Sequence, residues 1–278
     1  MSVLQVRGVR ITNGANGEEL VHGVSFDLEP GGVVGIVGES GSGKTLTCRA
    51  ALGILPSGFT VSAGSVAIEG TDIAGLSAKQ WTALRGATIG AVFQDPGSYL
   101  NPSLTVGAQI SEVLRVRGGL RRRQARARSQ ELLAAVHLRD PHRVYDRYPH
   151  ELSGGMQQRV LIAAAISLGP KILVADEATT ALDVTVQAEI LDLLADLRES
   201  TGLALVVVSH DLAVVAQLCD EVLVMRSGEV VEQGPVKQVL HRPRHDYTRL
   251  LIREHEQYGL DRFLGTPSGK EPVDALTN

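Results

Sequence analysis

Val33-Val34-Gly35-Ile36-Val37-Gly38-Glu39-Ser40-Gly41-Ser42-Gly43-Lys44-Thr45 passes from an apolar run straight into a glycine-rich loop. The apolar part has the length of a strand and no polar face, as expected of a strand covered on both sides of its sheet. Gly38 to Thr45 fits the phosphate-cradling pattern G-x-x-x-x-G-K-[ST]. Its glycines allow successive backbone N–H groups to curl toward a triphosphate, and the helix that follows adds its positive N-terminal end. Lys44 supplies a cationic donor to the β- and γ-phosphates, and the Thr45 hydroxyl can ligate Mg²⁺. A glycine-rich surface turn could carry the same residues, but it would not sit between a buried strand and a helix.

The segments on either side extend this pattern. A helix is predicted over 45–55, stopped by Pro56. Before the loop, 4–9 and 23–28 alternate as half-buried strands, separated from the apolar run by the turn Glu29-Pro30-Gly31-Gly32. A further strand is expected over 65–68, and from 96 to 150 the texture is helical and rich in arginine. After Ser153 helices and strands alternate: helix 156–167, strand 171–175, helix 186–199, strand 204–209, helix 212–218 and strand 221–225. Apolar strands alternating with helices imply a parallel sheet covered on both faces. The helical stretch interrupts that sheet and reads as an inserted subdomain. The expected division is a core of 1–95 and 160–233, a helical subdomain of 96–159, and an extension of 234–278 that frays at its end.

Ile172-Leu173-Val174-Ala175-Asp176-Glu177 is a second buried strand, and it ends in two acids. In open α/β sheets ligands lie at the carboxyl ends of the strands. There Asp176 can hold Mg²⁺ through water, and Glu177 can polarise an attacking water as general base. An acidic strand end can also merely cap the next helix, but the phosphate loop favours the chemical role. Leu152-Ser153-Gly154-Gly155-Met156-Gln157-Gln158-Arg159, with Ser153 lying 23 residues before Asp176, opens another helix with another glycine pair. A second anion-ready helix start suggests a second phosphate contact.

With these residues the chain resembles the ATP-binding subunit of ABC transporters, whose signature is Leu-Ser-Gly-Gly-x-Gln. The resemblance covers nearly the whole sequence. It implies an α/β P-loop NTPase of the ABC type: a mixed, largely parallel core sheet, an N-terminal antiparallel β subdomain and an inserted helical subdomain. It also implies ATP and Mg²⁺ as ligands. Two ATPase subunits would pair head to tail, with Ser153, Gly154, Gly155 and Gln157 of one facing the γ-phosphate on Gly38–Thr45 of the other. Phe93-Gln94-Asp95 matches the family's Q-loop, which places Gln94 on Mg²⁺ and water. Ala181-Leu182-Asp183 matches the D-loop at the subunit interface, and Ser209-His210-Asp211 matches the switch histidine that contacts the γ-phosphate and steadies Glu177.

Finer likeness points to the peptide/nickel importer branch. Phe93-Gln94-Asp95-Pro96, Leu100-Asn101-Pro102, Asp183-Val184-Thr185-Val186-Gln187 and Pro243-Arg244-His245-Asp246-Tyr247-Thr248 look like that branch. Leu20-Val21-His22-Gly23-Val24-Ser25, Leu46-Thr47-Cys48, Leu52-Gly53-Ile54-Leu55-Pro56, Glu232-Gln233-Gly234 and Tyr258-Gly259 are most similar to nickel-importer subunits. The partners so implied are a second ATPase subunit of distinct sequence, two transmembrane permeases and an extracytoplasmic substrate-binding protein, with the chain peripheral on the cytoplasmic face of the membrane. Three features depart from the family. Val9-Arg10-Ile11-Thr12 offers no aromatic to stack on adenine, the tail has no cysteine cluster for an iron–sulfur site, and Ala178 stands where proline is common.

Composition bounds the alternatives. Of 278 residues 44% are hydrophobic and 21% charged, which excludes a disordered chain. The longest apolar stretch, 160–166, is far short of the roughly 18 residues of a spanning helix. No basic-then-apolar leader opens the sequence, so a cytosolic chain is expected. Two cysteines are too few for a disulfide framework or a four-cysteine metal site. The net charge of −4 hides an asymmetry, since 111–147 holds ten arginines against four acids and the remainder carries −10. The run Arg121-Arg122-Arg123…Arg126…Arg128 reads as a solvated helix face or as a face near anionic lipid, and no nucleic-acid partner is expected. His241 and His245 are spaced like metal ligands, but Pro243 breaks the helix that would align them. The rivals are a non-transport ABC ATPase acting on ribosomes or DNA, disfavoured by a single phosphate loop without heptads, and a P-loop kinase, which leaves 152–158 unexplained.

Overall fold

The structure, a computed structural model, describes residues 1–179 and 183–256. In chain order it opens with strands β1 (Leu4–Asn13), β2 (Glu19–Leu28) and β3 (Val33–Val37), then helix α1 (Lys44–Ala51). Next come β4 (Phe59–Ile68), β5 (Thr71–Asp72), α2 (Ala78–Leu84) and β6 (Ile89–Phe93). A helical stretch follows: α3 (Pro96–Tyr99), α4 (Val106–Val116), α5 (Arg122–Ala135), α6 (Pro141–Tyr145) and α7 (Gly154–Ala165). The alternating part is β7 (Ile172–Asp176), α8 (Val184–Thr201), β8 (Ala204–Ser209), α9 (Leu212–Leu218), β9 (Glu221–Arg226) and β10 (Glu229–Pro235). Helices α10 (Val236–His241) and α11 (Asp246–Glu256) close the described chain.

The strands form two sheets. One is antiparallel, in the order β2-β1-β4-β5, and the other runs β10-β9-β3-β8-β7-β6. In the second sheet β9, β3, β8, β7 and β6 are parallel, and only the edge strand β10 is antiparallel. The unbroken apolar runs now have their cause. Along β7 and β8, Leu173, Ala175, Leu205 and Val207 point into a core shared with the helices of one layer. Their neighbours Ile172, Val174, Val206 and Val208 point the other way, into a core shared with β1, β2 and α1. A third cluster seats the tail, with Val236, Val239, Leu240, Tyr247 and Ile252 packed on Val37, Val222 and Val224.

Some elements differ from the sequence-based expectations. The first helix ends at Ala51 rather than running to residue 55, because Gly53 takes φ +62° and turns the chain out. A β-carbon there would lie 2.2 Å from the Trp81 ring. Strand β4 starts at Phe59 rather than Ser65; its first half is mostly exposed and so lacks an apolar alternation, but it pairs with β1 from Asn13 opposite Phe59. Strands β5, β6 and β10 and helices α2, α10 and α11 are not among the sequence-based expectations. In the arginine-rich helix α5 the side chains at 122, 123, 126 and 128 are exposed. Arg126 pairs with Asp146 at 2.8 Å and lies over the Tyr145 ring, and Arg128 pairs with Glu131 at 2.9 Å. Among the described residues no helix is long and apolar enough to cross a membrane.

Candidate functional site

Between β3 and α1 the chain wraps around one buried cation. Lys44 is only 4% exposed, and its Nζ donates to the carbonyls of Gly38 and Glu39, each at 2.8 Å. The Ser42 N–H donates to the Glu39 carbonyl at 3.2 Å, while the Ser42 carbonyl accepts from Gly228 N–H at 3.1 Å. Gly38 has φ +150°, and a β-carbon on it would lie 2.0 Å from the Met225 carbonyl oxygen, so only glycine fits. Glu39, Ser40 and Gly41 face solvent. Burial lowers the Lys44 pKa, and the nearby carboxylates of Glu177, Asp176 and Glu39 counter that shift. A lysine side chain held by loop carbonyls beside a glycine-rich strand-to-helix turn has the chemistry to receive a polyanion.

Strand register brings the other predicted residues to the same edge. Val37 lies opposite Ser209, Val208 opposite Asp176, and Asp176 opposite Phe93. The residues that leave these four strand ends are Gly38, His210, Glu177 and Gln94. Adjacent strands are about 4.8 Å apart, so these groups form one row along the sheet edge. Asp176 is 5% exposed, and its Oδ1 accepts from the Thr45 hydroxyl at 3.1 Å. Burial raises the Asp176 pKa, while the Thr45 bond and Arg49 oppose the rise. A hydroxyl and a carboxylate side by side are the hard oxygen donors that suit Mg²⁺ rather than a softer metal. Glu177 is half-buried with φ +51°, a strained backbone for a residue with a β-carbon, and its N–H is fixed on the Val208 carbonyl at 3.0 Å.

His210 is exposed at the end of β8. The turn below it is rigid: Asp211 N–H donates to Ser209 Oγ at 2.9 Å, Asp211 Oδ1 caps α9 through Ala213 N–H, and Asp211 Oδ2 accepts from Gln187. Gln94 is also exposed, between Phe93, whose ring stacks on Tyr99, and Asp95, which caps α3 through Gly97 N–H at 3.2 Å.

The second glycine pair stands apart. Ser153 caps α7 by accepting from Met156 N–H at 3.4 Å, and both Ser153 and Gly154 are exposed. Gly155 is pressed toward Val186, and Gln157 donates to the carbonyls of Pro149 and Leu152 within its own loop. Among the described residues no hydrogen bond joins 153–155 to the Gly38–Thr45 loop. Asp183 is exposed and caps α8 through Val186 N–H at 2.9 Å; Ala181 and Leu182 lie outside the described residues, as do Tyr258 and Gly259. At the end of β1, Val9 and Ile11 are buried in the core and Arg10 pairs with Glu19, so no ring is presented there. The sequence reading missed one contact: the hydroxyl of Tyr247, in the tail, accepts from the N–H of Glu39. The Pro-x-His-x-Tyr-Thr pattern marked that tyrosine without giving it a role.

A phosphate loop on a parallel sheet, a row of Gln, Glu and His at the strand ends, and an outward-facing Ser-Gly-Gly helix start define an ATPase of the ATP-binding-cassette type. The chain belongs to the ABC transporter family, which matches residues 21–180. It is 42% identical over 262 residues to the dipeptide transport ATP-binding protein DppD of Haemophilus influenzae, covering 92% of this chain and 79% of that one. Among solved structures, cbiO1 from Clostridium perfringens, part of the transporter complex cbiONQ, superimposes with a TM-score of 0.77 at 29% identity, over 94% of this chain and 97% of that one. The cassette MJ0796, a dimer in a post-hydrolysis state bound to ADP and Pi, gives 0.73 at 30% identity over 84% and 98%. The chain is accordingly an ATP-binding, ATP-hydrolysing protein of that family.

Proposed function

We propose that the chain is the energising subunit of an importer, coupling ATP hydrolysis to uptake of di- or oligopeptides through partner permeases. The observation that carries the mechanism is the register of β3, β8, β7 and β6, which puts the phosphate loop, His210, Glu177 and Gln94 on one edge. The triphosphate sits in the loop made by Gly38, Glu39, Ser40, Gly41, Ser42 and Gly43, with Lys44 as counter-charge. Thr45, Asp176 and Gln94 would hold Mg²⁺, which when bound would neutralise charge on the phosphate oxygens. Glu177 takes the proton of the attacking water, and His210 steadies it from the next strand. Because Ser153 and Gly154 face solvent, they serve the nucleotide of a second cassette, with Gly155, Gln157 and Asp183 shaping the same contact. A two-lobed architecture accords with this action: a core of 1–95 and 160–233 grips nucleotide, and the helical part, 96–159, moves.

Peptide cargo is supported by the likeness to a dipeptide transport subunit. Nickel or a metal chelate is the second reading, favoured by 20–25 and 52–56. Permease docking is supported by a groove lined by Leu52, Ile54, Phe93, Val113 and Leu168, where the core meets the helical part. On this reading the second cassette is a distinct paralogue, a substrate-binding protein delivers cargo, and the chain works at the cytoplasmic face of the membrane. In the Glu177→Gln protein ATP binding persists, hydrolysis falls about 100-fold or more, and ATP holds the two cassettes together. Hydrolysis at the wild-type rate refutes the assigned base. Stimulation by RNA or DNA instead of by cargo and permeases favours a non-transport ABC ATPase.

A further inference from the structure

We propose that Tyr247 is a positioning residue for nucleotide binding, through which the folded part of the C-terminal extension sets the shape of the phosphate loop. The inference rests on Gly38–Thr45 being the seat of the triphosphate. Its basis is one peptide plane. The Gly38 carbonyl and the Glu39 N–H belong to the same peptide unit; the carbonyl accepts from Lys44 Nζ at 2.8 Å, and the N–H donates to Tyr247 Oη at 2.9 Å. The plane is thus held at both poles, by the lysine on one side and the tyrosine on the other. Gly38, at φ +150°, has no β-carbon to resist rotation of that plane, so the resistance comes from its two partners.

The tail is built to hold this hydroxyl still. Both carboxylate oxygens of Glu232 in β10 accept backbone N–H groups of the motif, Arg244 at 2.8 Å and His245 at 3.0 Å. His245 Nδ1 in turn accepts from Tyr247 N–H at 3.1 Å, where α11 begins. The Tyr247 ring is 6% exposed, packed with Val37, Leu212 and Val224, and the Arg226 guanidinium lies 4.9 Å from its centroid. Ring, backbone and hydroxyl are each fixed by a different part of the core. Rigid support of this kind lowers the ordering cost of a ligand that must find a preformed cradle.

Tyr247→Phe keeps the ring, its packing and the Arg226 contact, and removes only the acceptor for Glu39 N–H. The freed plane rotates, Lys44 loses an acceptor, and nucleotide must restore both. Titration of the full chain with the Mg²⁺ complex of a non-hydrolysable ATP analogue is expected to show a Kd about three- to tenfold weaker than wild type. In the assembled complex the loss falls on KM for ATP more than on kcat. Ile252→Ala, in the same apolar cluster but without a bond to the loop, separates positioning from tail stability. It is expected to lower the unfolding midpoint while leaving Kd unchanged. The proposal is overturned if Tyr247→Phe binds the analogue as wild type does, or if Ile252→Ala weakens binding as much as Tyr247→Phe. Failure of the wild-type chain itself to bind the analogue overturns the assignment of the loop, a result distinct from either.

Discussion

Thr45 Oγ1 donates to Asp176 Oδ1 at 3.1 Å, tying the first turn of α1 to the last residue of β7. Burial raises the pKa of this carboxyl, so its charged form is held in the fold at a cost. A carboxyl with a raised folded pKa loses that cost as pH falls through the folded value, because the neutral form is then favoured. Asp176→Asn is therefore expected to be at least as stable as wild type at neutral pH without nucleotide. The gap closes as pH is lowered through the raised pKa. On the proposed role of Asp176 as an Mg²⁺ ligand, the same variant is expected to gain less stability than wild type from Mg²⁺ together with ATP. Unfolding free energies of both proteins across the acid range check the sign; a gap that widens on acidification contradicts it.

Gly38→Ala tests the close approach of the loop to β9. The added β-carbon meets the Met225 carbonyl oxygen at 2.0 Å and Ser42 Oγ at 2.9 Å. Backbone cannot yield as a side chain can, so the loop itself must move. The expected outcome is a loss of about 2 kcal/mol or more of stability and a Kd for ATP at least tenfold weaker. Denaturant unfolding and nucleotide titration read the two effects separately. Alanine tolerated in both assays would mean that the loop does not rest on Met225.

The residues along this sheet edge were legible because their sequence signals are local. A strand buried on both faces reads as an unbroken apolar run, and Asp176, Glu177 and His210 follow directly on such runs. Strand β6 escaped because the adjacent Gly90 and Ala91 break up its β-branched run, although Gln94 behind it was singled out by likeness. Strand β10 escaped because it is an edge strand, mostly half-buried or exposed, with no alternation to follow. Tyr247 was visible as a motif but not as a contact, since its partner Glu39 lies 208 residues away. Ser153 shows the complementary limit. Its cap on α7 is local and readable, but among the described residues the serine itself faces solvent, so its own chain gives it no further partner to read.

Arg159 anchors α7, the helix that begins at the Ser-Gly-Gly loop. Its guanidinium donates to the Val136 carbonyl at 3.0 Å and to Glu189 of α8 at 2.8 Å. The arginine side chain is 9% exposed and its acid partner 57%, so the two ends of the pair are not equivalent. Removing the arginine strands a buried carbonyl at the end of α5, whereas removing the mostly exposed glutamate leaves Arg159 its bond to that carbonyl. Arg159→Ala is expected to cost about 2–3 kcal/mol and Glu189→Ala about 1 kcal/mol or less. Equal losses in chemical denaturation would show that the ion pair, not the carbonyl bond, carries the anchor.

Ser153→Arg separates the two nucleotide contacts. Ser153 is exposed and, among the described residues, has no bond to the phosphate loop of its own chain. On the proposed pairing, an arginine there fills the surface that a second cassette approaches without disturbing Lys44 or the Gly38–Thr45 cradle. The isolated chain is therefore expected to bind ATP with unchanged Kd. The assembled complex should hydrolyse it at least about tenfold more slowly, the loss of about 1.4 kcal/mol of transition-state stabilisation. Losing the cap also leaves the Met156 N–H to water at the start of α7, so the control is Ser153→Asp, which keeps a capping oxygen. If Ser153→Arg weakens ATP binding by the isolated chain, the loop acts on its own nucleotide. If hydrolysis in the complex is unaffected, the loop does not face a nucleotide at all.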